Sequence, residues 1–321
     1  MKQVWVIGAG GMLGSALIKL LRYQNISLYK FPEAFDWSNP ERIKCQFKMA
    51  VKGFMAGLSS SDDWVIYWVA GGGYLGSTKY DMERETAALD ALLIALRDQI
   101  PGCRARGLIG FASSAGALYA GCLDFEITEA SEVSATSDYA RAKWAQERLL
   151  EDFVSAVDKV QLLVARFSTL YGPGQASGKQ QGLLSHIARC ALRHQPVEIF
   201  VPLDTSRDYL FVHDAASDFL AYSRALRAHD VRFVIKIIAA ERSVTISDVI
   251  STFNKLMKKR LLYVCNRNHL SNLYLRRVAY RSISPLNVGT ELTRHTLVEG
   301  VAVILGSERM SYILSAHKGE S

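Results

Sequence analysis

Short apolar runs alternate with amphipathic stretches along the chain up to about residue 260. The runs are rich in β-branched and aromatic residues and predict strands; they are Val4–Ile7, Ile26–Lys30, Trp64–Val69, Gly107–Ala112, Gln161–Ala165 and Phe233–Ile238. Apolar residues at helical spacing predict helices; these are Met12–Tyr23, Tyr80–Asp98, Ser137–Phe153, Gly182–Arg193, Val212–Leu226 and Ile246–Lys259. Strands separated by helices need crossover connections, so the pattern predicts an α/β fold with a Rossmann-like, doubly wound parallel sheet.

The composition is that of a folded globular protein. Of the 321 residues, 49% are hydrophobic and 21% are charged, which excludes disordered, collagen-like and coiled-coil chains. The net charge is +7, and the stretch from Lys255 to Arg281 accounts for it with eight basic residues and no acidic one. A basic surface fits nucleic acid, acidic lipid or a phosphorylated small molecule, so charge alone leaves the partner open.

Cysteine and histidine spacing gives no sign of a metal site or a disulfide framework. The five cysteines are scattered without a C-x-x-C pair, and the seven histidines form no H-x-x-x-H pattern. The apolar start is too short for a signal peptide, and no run of about 18 apolar residues predicts a membrane span. We therefore expect a cytoplasmic protein without a bound metal.

A glycine-rich turn joins the first predicted strand to the first predicted helix. Its glycines, at positions 8, 11 and 14, form a G-x-x-G-x-x-G pattern. Glycine lets the backbone approach a pyrophosphate, and the first N–H groups of the helix attract the phosphate charge. The expected dinucleotide contacts are Gly8, Gly11, Met12, Leu13 and Gly14. A tight strand-to-helix turn without a ligand would also use these glycines.

Two further segments bear on the same cofactor. The predicted strand Trp64–Val69 leads into Ala70 and Gly71, the first residues of a run that allows close backbone approach. The second predicted strand ends at Lys30, with no acidic residue before Glu33. An acidic residue there would bind the ribose of NAD, whereas a basic one accommodates the 2′-phosphate of NADP. Lys30 thus favours NADP over NAD, unless it is only a solvated residue at a strand end.

A Y-x-x-x-K pattern places Tyr139 and Lys143 one turn apart on a predicted helix. On one helix face, the ammonium can lower the pKa of the phenol and prepare it for proton transfer between a carbonyl and an alcohol. The strand Gly107–Ala112 ends in Ser113 and Ser114. Hydroxyls at the carboxyl end of such a strand lie where open α/β sheets bind ligands.

Five ordered motifs make most of the chain resemble the extended short-chain dehydrogenase/reductase family of nucleotide-sugar epimerases, dehydratases and ketoreductases. They are the glycine turn, the serine pair before Tyr119-x-Gly121, Y-x-x-x-K, Arg166 before Tyr171-Gly172-Pro173-Gly174, and Arg207-Asp208-Tyr209. The resemblance implies an NAD(P)-binding domain over residues 1–170. It also implies a smaller substrate-binding lobe over most of residues 171–321, with 203–240 returning to the sheet.

The resemblance also implies catalytic roles. Tyr139 is the expected acid/base, Lys143 its pKa-lowering and ribose-binding partner, and Ser114 the hydroxyl that polarises the substrate. Ser113 stays an alternative, because Ser114 lies 25 residues before Tyr139, as in the family, but one place early relative to Tyr119.

For the substrate, the resemblance implies that Arg207 contacts a nucleotide diphosphate. Because the basic stretch lies within the expected substrate lobe, Arg276 or Arg277 is expected to bind the diphosphate alongside Arg207. Thr169 stands where the family commonly has asparagine. Ala115 and Gly116 stand where the dehydratases carry an Asp-Glu pair, so dehydration is not expected. Glu85 is interpreted as part of an exposed helix face.

The expected activity is hydride transfer at a sugar carbon, C4, of a nucleotide-diphosphate sugar, with NAD or NADP as cofactor. An epimerase and an NADPH-dependent 4-ketoreductase share this chemistry, and a catalytically silent dinucleotide-binding protein is the alternative from another class. The resemblance further implies a homodimer. With a small-molecule partner in view, neither nucleic acid nor a membrane is expected to bind.

Overall fold

A computed structural model describes residues 3–58, 63–175, 182–266, 277–286, 288 and 294–318. Its eleven strands within these ranges are β1 (Gln3–Ile7), β2 (Leu28–Tyr29), β3 (Trp64–Trp68), β4 (Gly107–Ser114), β5 (Val160–Phe167), β6 (Thr169–Tyr171), β7 (Val197–Ile199), β8 (Ser206–Phe211), β9 (Phe233–Ile238), β10 (Ser243–Thr245) and β11 (Tyr263–Cys265).

Nine α-helices lie in the same described ranges. They are α1 (Met12–Tyr23), α2 (Pro40–Ala56), α3 (Lys79–Gln99), α4 (Ala115–Leu118), α5 (Asp138–Ala156), α6 (Leu183–Leu192), α7 (Val212–Ala228), α8 (Ile246–Met257) and α9 (Leu297–Lys318). A short 3-10 helix, Ile100–Gly102, follows α3.

Six strands form the central sheet in the order β2-β1-β3-β4-β5-β9, and every neighbouring pair is parallel. This confirms the predicted doubly wound parallel sheet. The chain moves outward from β1 in both directions, to β2 on one side and β3 on the other. Open α/β sheets bind ligands at such a reversal, outside the carboxyl ends of the strands. The residues that follow β1 and β3 are therefore candidates for ligand binding.

The two faces of this sheet bury separate cores. One packs against α2, α3 and α5, with Phe47, Leu92 and Phe153 fully buried. The other packs against α1 and α7, with Leu17 and Phe219 fully buried. Buried hydrophobic side chains on both faces explain why the strands read as continuous apolar runs.

A second group of elements packs beside the sheet. It includes the three-stranded sheet β10-β8-β6 and the parallel pair β11-β7. A third core joins them to α6, α8 and α9. The helix α8 begins with a capping box in which Thr245 and Asp248 each satisfy a backbone N–H of the other. No helix in the described ranges is long and apolar enough to cross a membrane.

The basic stretch is only partly within the described residues. Its first four members, Lys255, Lys258, Lys259 and Arg260, are exposed at and beyond the end of α8. Arg277 and Arg281 are exposed as well. Arg276, one of the expected diphosphate contacts, lies outside the described residues.

Candidate active site

The glycine turn after β1 packs so tightly against its own backbone and the residues after β3 that two of its glycines have no space for a side chain. Gly8 has φ +97°, and a Cβ on it would lie 2.4 Å from Ala70 N. A Cβ on Gly14 would lie 2.1 Å from Gly8 O, so the start of α1 and the turn are in direct backbone contact. Gly8 and Gly14 are therefore required by packing alone, as a tight turn predicts.

The rim of this turn is open. Gly10 has no heavy atom within 4 Å of its would-be Cβ, and Gly11 caps α1 without a side-chain hydrogen bond. The first N–H groups of α1 are thus offered by Met12 and Leu13 without a capping side chain, while the Leu13 side chain is buried in the core. Such a cradle fits a pyrophosphate group, because uncapped helix N–H groups and the helix dipole both attract anions.

A second glycine run, Gly71 to Gly73, leaves the end of β3 beside this cradle. Gly71 has φ +150°, a conformation that favours glycine. Glu85, on α3, accepts hydrogen bonds from the N–H groups of Gly72 and Gly73 at 2.5 and 2.8 Å. The interpretation of Glu85 as an exposed helix face was therefore wrong: its carboxylate binds this run. No local sequence pattern predicts this contact, because it depends on how the glycine run meets α3.

Ser114, Tyr139 and Lys143 come together at the carboxyl edge of the sheet. Ser114 is the last residue of β4 and the cap of α4, where its Oγ accepts from Ala117 N–H at 3.3 Å. Tyr139 lies in the first turn of α5, which Ser137 caps, and its side chain shares a hydrogen bond with Ser114. Lys143 follows one turn later, buried, with Nζ donating to Gln146 Oε1 at 3.1 Å.

The pKa of Tyr139 moves in the opposite direction to the one expected from Lys143. Burial, and next the negative charge of Glu85, raise it to about 12, against a lowering contribution from the Ser114 hydrogen bond. Burial also lowers the pKa of Lys143, against the charges of Glu85 and Glu147. Its ammonium lies 4.9 Å from the centre of the Phe111 ring and donates to Ala112 O.

Ser113, the alternative to Ser114, points into a different environment. Its Oγ donates to Glu147 Oε1 at 2.5 Å, and both side chains are buried. Glu147 also receives two hydrogen bonds from Arg166, at 3.1 and 2.6 Å, and Arg166 donates to the Tyr119 hydroxyl. Since Ser113 is committed to this buried network while Ser114 contacts Tyr139, the geometry favours Ser114 as the hydroxyl of the site.

The other residues expected to bind ligands occupy the surroundings of this edge. Lys30 is exposed directly after β2. Thr169, also exposed, begins β6 and is paired in register with Tyr209 of β8. Arg207 lies on β8 two residues earlier, and its Nη1 donates to Ser206 O at 2.7 Å. Arg277 borders a surface groove together with Ser206. No group of three or more metal-ligating side chains occurs among the described residues.

Tyr280 packs against α4, the short helix that Ser114 caps. Its hydroxyl lies 3.9 Å from the would-be Cβ of Gly116, two residues after Ser114. Burial, and next the Asp208 carboxylate, raise the pKa of this buried phenol, whereas Arg207 acts to lower it. The Tyr280 hydroxyl thus lies close to α4 and is influenced by the charge of Arg207.

Comparison with solved structures shows the same fold across nearly the whole chain. MoeE5 in complex with UDP-glucose and NAD is 21% identical, with a TM-score of 0.78 over 97% of this chain and 100% of that one. RMD from Pseudomonas aeruginosa complexed with NADPH is 21% identical, with a TM-score of 0.76 over 97% and 100%. The UDP-glucose 4-epimerase of Thermus thermophilus complexed with NAD is 19% identical, with a TM-score of 0.75 over 96% and 99%. At these identities the likeness is one of fold.

Sequence comparison gives a family and a partial relative. The dTDP-4-dehydro-6-deoxyglucose reductase of Escherichia coli is 27% identical over 153 residues, which is 47% of this chain and 46% of that protein. The chain thus matches about half the length of this curated relative. Residues 4–237 match the sequence model described as the NAD dependent epimerase/dehydratase family. That match covers the glycine turn, Ser114, Tyr139 and Arg207, and this chain is accordingly a member of the NAD dependent epimerase/dehydratase family.

Proposed function

We propose that this chain is an NAD(P)H-dependent reductase that converts a keto group of a nucleotide-diphosphate sugar, at C4, into an alcohol. The observation that carries the proposal is the grouping of Ser114, Tyr139 and Lys143 at the carboxyl edge of the sheet, where the Tyr139 side chain shares a hydrogen bond with Ser114. A phenol beside a hydroxyl that binds the carbonyl oxygen can donate the proton that reduction requires. The partial match to a sugar-nucleotide reductase supports the same direction.

The proposed cofactor is NADH or NADPH, with the cradle at Gly8–Gly14 and the run from Ala70 holding it. The open rim at Gly10 and the uncapped N–H groups of α1 suit its pyrophosphate. When bound, the dinucleotide supplies the hydride that the sugar carbon accepts. Lys30 lies at the end of β2, where a basic residue accommodates a 2′-phosphate, which supports NADPH over NADH.

The side chains of the chain itself handle the oxygen and the proton. Ser114 donates a hydrogen bond to the carbonyl oxygen and stabilises the charge that develops on it. Tyr139 donates its phenolic proton to that oxygen as the alcohol forms. We expect Lys143, one turn further along α5, to stabilise the resulting tyrosinate before it is reprotonated from solvent.

For the substrate, we propose that Arg207 and Arg277 bind the diphosphate and that Thr169 contacts the sugar. Guanidinium groups bind phosphate oxygens in a bidentate manner. Both arginines lie next to Ser206, which supports this proposal. The Ser206 carbonyl accepts a hydrogen bond from Arg207, and Ser206 lines the same surface groove as Arg277.

A homodimer is also proposed. The helices α3 and α5 pack side by side and carry partly exposed Ile94 and Trp144. Light scattering at several concentrations tests this, and a monomeric mass throughout would contradict it.

The decisive experiment combines cofactor release with turnover. Purified protein is denatured and the released dinucleotide identified; the protein is then assayed with NADPH or NADH and a panel of nucleotide-diphosphate 4-keto sugars. We expect no stoichiometric dinucleotide, and oxidation of NADPH that depends on a keto sugar. Stoichiometric NAD, with interconversion of epimeric sugars, would replace the proposal by the epimerase. Dinucleotide binding without either activity would indicate the silent protein.

A further inference from the structure

The connection from α8 to β11 carries a cluster of cations without acidic partners. Residues 255–264, which we call the α8–β11 segment, contain four basic side chains and no acidic one. All four are exposed, and none forms an ion pair with an acidic side chain in the described part of the chain; they are Lys255, Lys258, Lys259 and Arg260. The proposed reaction does not use them.

Exposed apolar side chains follow these cations directly. Leu262, Tyr263 and Val264 are 61%, 42% and 49% exposed. Val264 lies opposite the exposed Glu198 in the parallel pair of β11 with β7, so it is on the outer face of that pair, and Leu262 shares this face because it lies two residues earlier. The water-facing side of a strand is ordinarily polar, so two aliphatic side chains there indicate a surface for a partner.

The rest of the fold fixes the conformation of this segment. Lys258 ends α8 in the left-handed conformation, with φ +52°. Asn254 Oδ1 accepts a hydrogen bond from Leu261 N–H at 2.7 Å, and Leu261 packs against the third core. The carbonyl of Leu262 accepts from Val197 N–H at 2.8 Å. The apolar side chains are therefore exposed on a strand that is anchored on both sides.

The combination of charge and apolar surface distinguishes between partners. A second copy of the chain would bring like charges together, which disfavours self-association through this surface. A nucleic acid would pair with the cations, but its bases stack on aromatic rings and would leave Leu262 and Val264 without an apolar contact. An anionic bilayer matches both properties, because its phosphates attract cations and its acyl chains accept aliphatic groups. Glu198 opposes this attraction, but the cations remain in excess.

We propose that the α8–β11 segment binds the protein peripherally to the surface of an anionic phospholipid bilayer. Its cations contact the phosphate headgroups, and Leu262 and Val264 lie at the boundary between headgroups and acyl chains. This departs from the sequence-based expectation that no membrane binds, which was made without knowing which apolar residues are exposed. The proposal is independent of the reductase function.

Vesicle sedimentation tests this surface. The full chain is incubated with vesicles of phosphatidylcholine alone, or of phosphatidylcholine and phosphatidylglycerol in equal amounts. We expect binding to the anionic vesicles that weakens as salt is raised. The triple variant Lys258→Gln, Lys259→Gln, Arg260→Gln should weaken that binding by roughly 100-fold, because each basic residue near an anionic surface strengthens it about fivefold.

The matched control removes the same charge elsewhere. Lys44→Gln, Lys48→Gln, Lys52→Gln neutralises three exposed lysines of α2 and should leave vesicle binding close to that of the wild type. Equal binding to both kinds of vesicle, no binding to either, or an equal loss in the α2 variant would overturn the proposal.

A second variant tests the apolar contact separately. Leu262→Ser, Val264→Ser keeps every cation and should weaken binding to anionic vesicles by about tenfold. Unchanged binding would refute insertion of these side chains. If this variant does not fold, as judged by urea unfolding, the comparison of the two charge variants still decides whether the segment binds the membrane.

Two further readouts separate the alternatives. A single-stranded RNA that binds the wild type but not the α8–β11 charge variant, together with no vesicle binding, would replace the membrane by nucleic acid. Sedimentation is measured without dinucleotide or sugar, so its failure would leave the reductase proposal intact. Conversely, vesicle binding by a chain that reduces no sugar would support this surface and refute the reductase.

Discussion

Two clusters of the same four residue kinds begin at the adjacent serines that end β4, and they differ in what their charged side chains bind. Each contains a serine from the end of β4, a tyrosine, a cation and a glutamate. In the closed cluster these are Ser113, Tyr119, Arg166 and Glu147; in the open cluster they are Ser114, Tyr139, Lys143 and Glu85.

In the closed cluster the four side chains satisfy one another. Glu147 accepts from Ser113 and Arg166, Arg166 also donates to Tyr119, and all four are at most 5% exposed. In the open cluster the carboxylate binds backbone N–H groups, and Ser114 and Tyr139 are partly exposed. Residue type alone therefore does not distinguish a structural cluster from a chemically active one. The difference is whether the polar side chains of the cluster satisfy one another's hydrogen bonds.

The largest expected effect concerns the tyrosine of the open cluster. Tyr139→Phe removes the proton donor and should lower kcat by about 10²- to 10⁴-fold, with cofactor affinity nearly unchanged. Steady-state kinetics and cofactor titration measure the two effects. Tyr80→Phe, on an exposed position of α3, is the matched control and should be silent. Near-normal turnover by Tyr139→Phe would place the reaction outside the open cluster.

The closed cluster should respond in stability. Arg166→Met leaves Glu147 buried without its cation, and we expect the free energy of unfolding in urea to fall by about 3–5 kcal/mol. The double variant Arg166→Met, Glu147→Leu removes both charges and should recover most of that loss. Arg148→Met, at an exposed position of α5, is the control and should change stability by less than about 0.5 kcal/mol. A double variant no more stable than the single one would contradict the assignment.

The adjacent serines give a sharper test, because the two clusters predict opposite phenotypes. Ser114→Ala should lower kcat by about 10²-fold with little change in stability. Ser113→Ala should instead cost about 1–3 kcal/mol of stability, since it removes a buried hydrogen bond to Glu147, and leave kcat nearly intact. Kinetics and urea unfolding of both variants check this. The reverse pattern would exchange the roles of the serines.

The sequence carried enough information for the fold and for part of the site. Strands buried on both faces read as apolar runs, and each predicted strand overlaps one in the sheet. The helix α2 was not predicted, although Asn39 followed by Pro40 is a clear start and Ile43, Phe47 and Phe54 form its buried face. Three lysines between these apolar residues made the helical pattern of α2 less evident in the sequence. The helix α9 was also not predicted. Its own apolar residues are spread over all of its faces, so its sequence shows no amphipathic helical period.

The environment of the site was harder to predict than its members. The spacing of Tyr139 and Lys143 correctly places them one turn apart on α5. The effect of Glu85 on Tyr139 depends on how β3, the glycine run and α3 meet, and no local pattern encodes that meeting. Likewise, Ser113 and Ser114 are adjacent and identical in type, and only the alternation of side chains along β4 sends one into the core and the other toward the cleft.

The smallest expected effect concerns a cation that is exposed rather than paired in the core. Arg166 is paired inside the closed cluster, whereas Lys30 is exposed directly after β2, where the proposed NADPH would place its 2′-phosphate. An exposed charge contributes about 0.2–1 kcal/mol to an ionic contact, so Lys30→Ala should weaken NADPH binding by no more than about fivefold. NADH, which lacks the 2′-phosphate, should bind unchanged, and Lys48→Ala, an exposed lysine on α2, should alter neither affinity.

Calorimetric titration with both dinucleotides measures this, and the NADPH effect should shrink at high salt, because salt screens an exposed charge. An equal loss for NADH would mean that Lys30 supports the strand end, and that the cofactor preference is set elsewhere in the cradle.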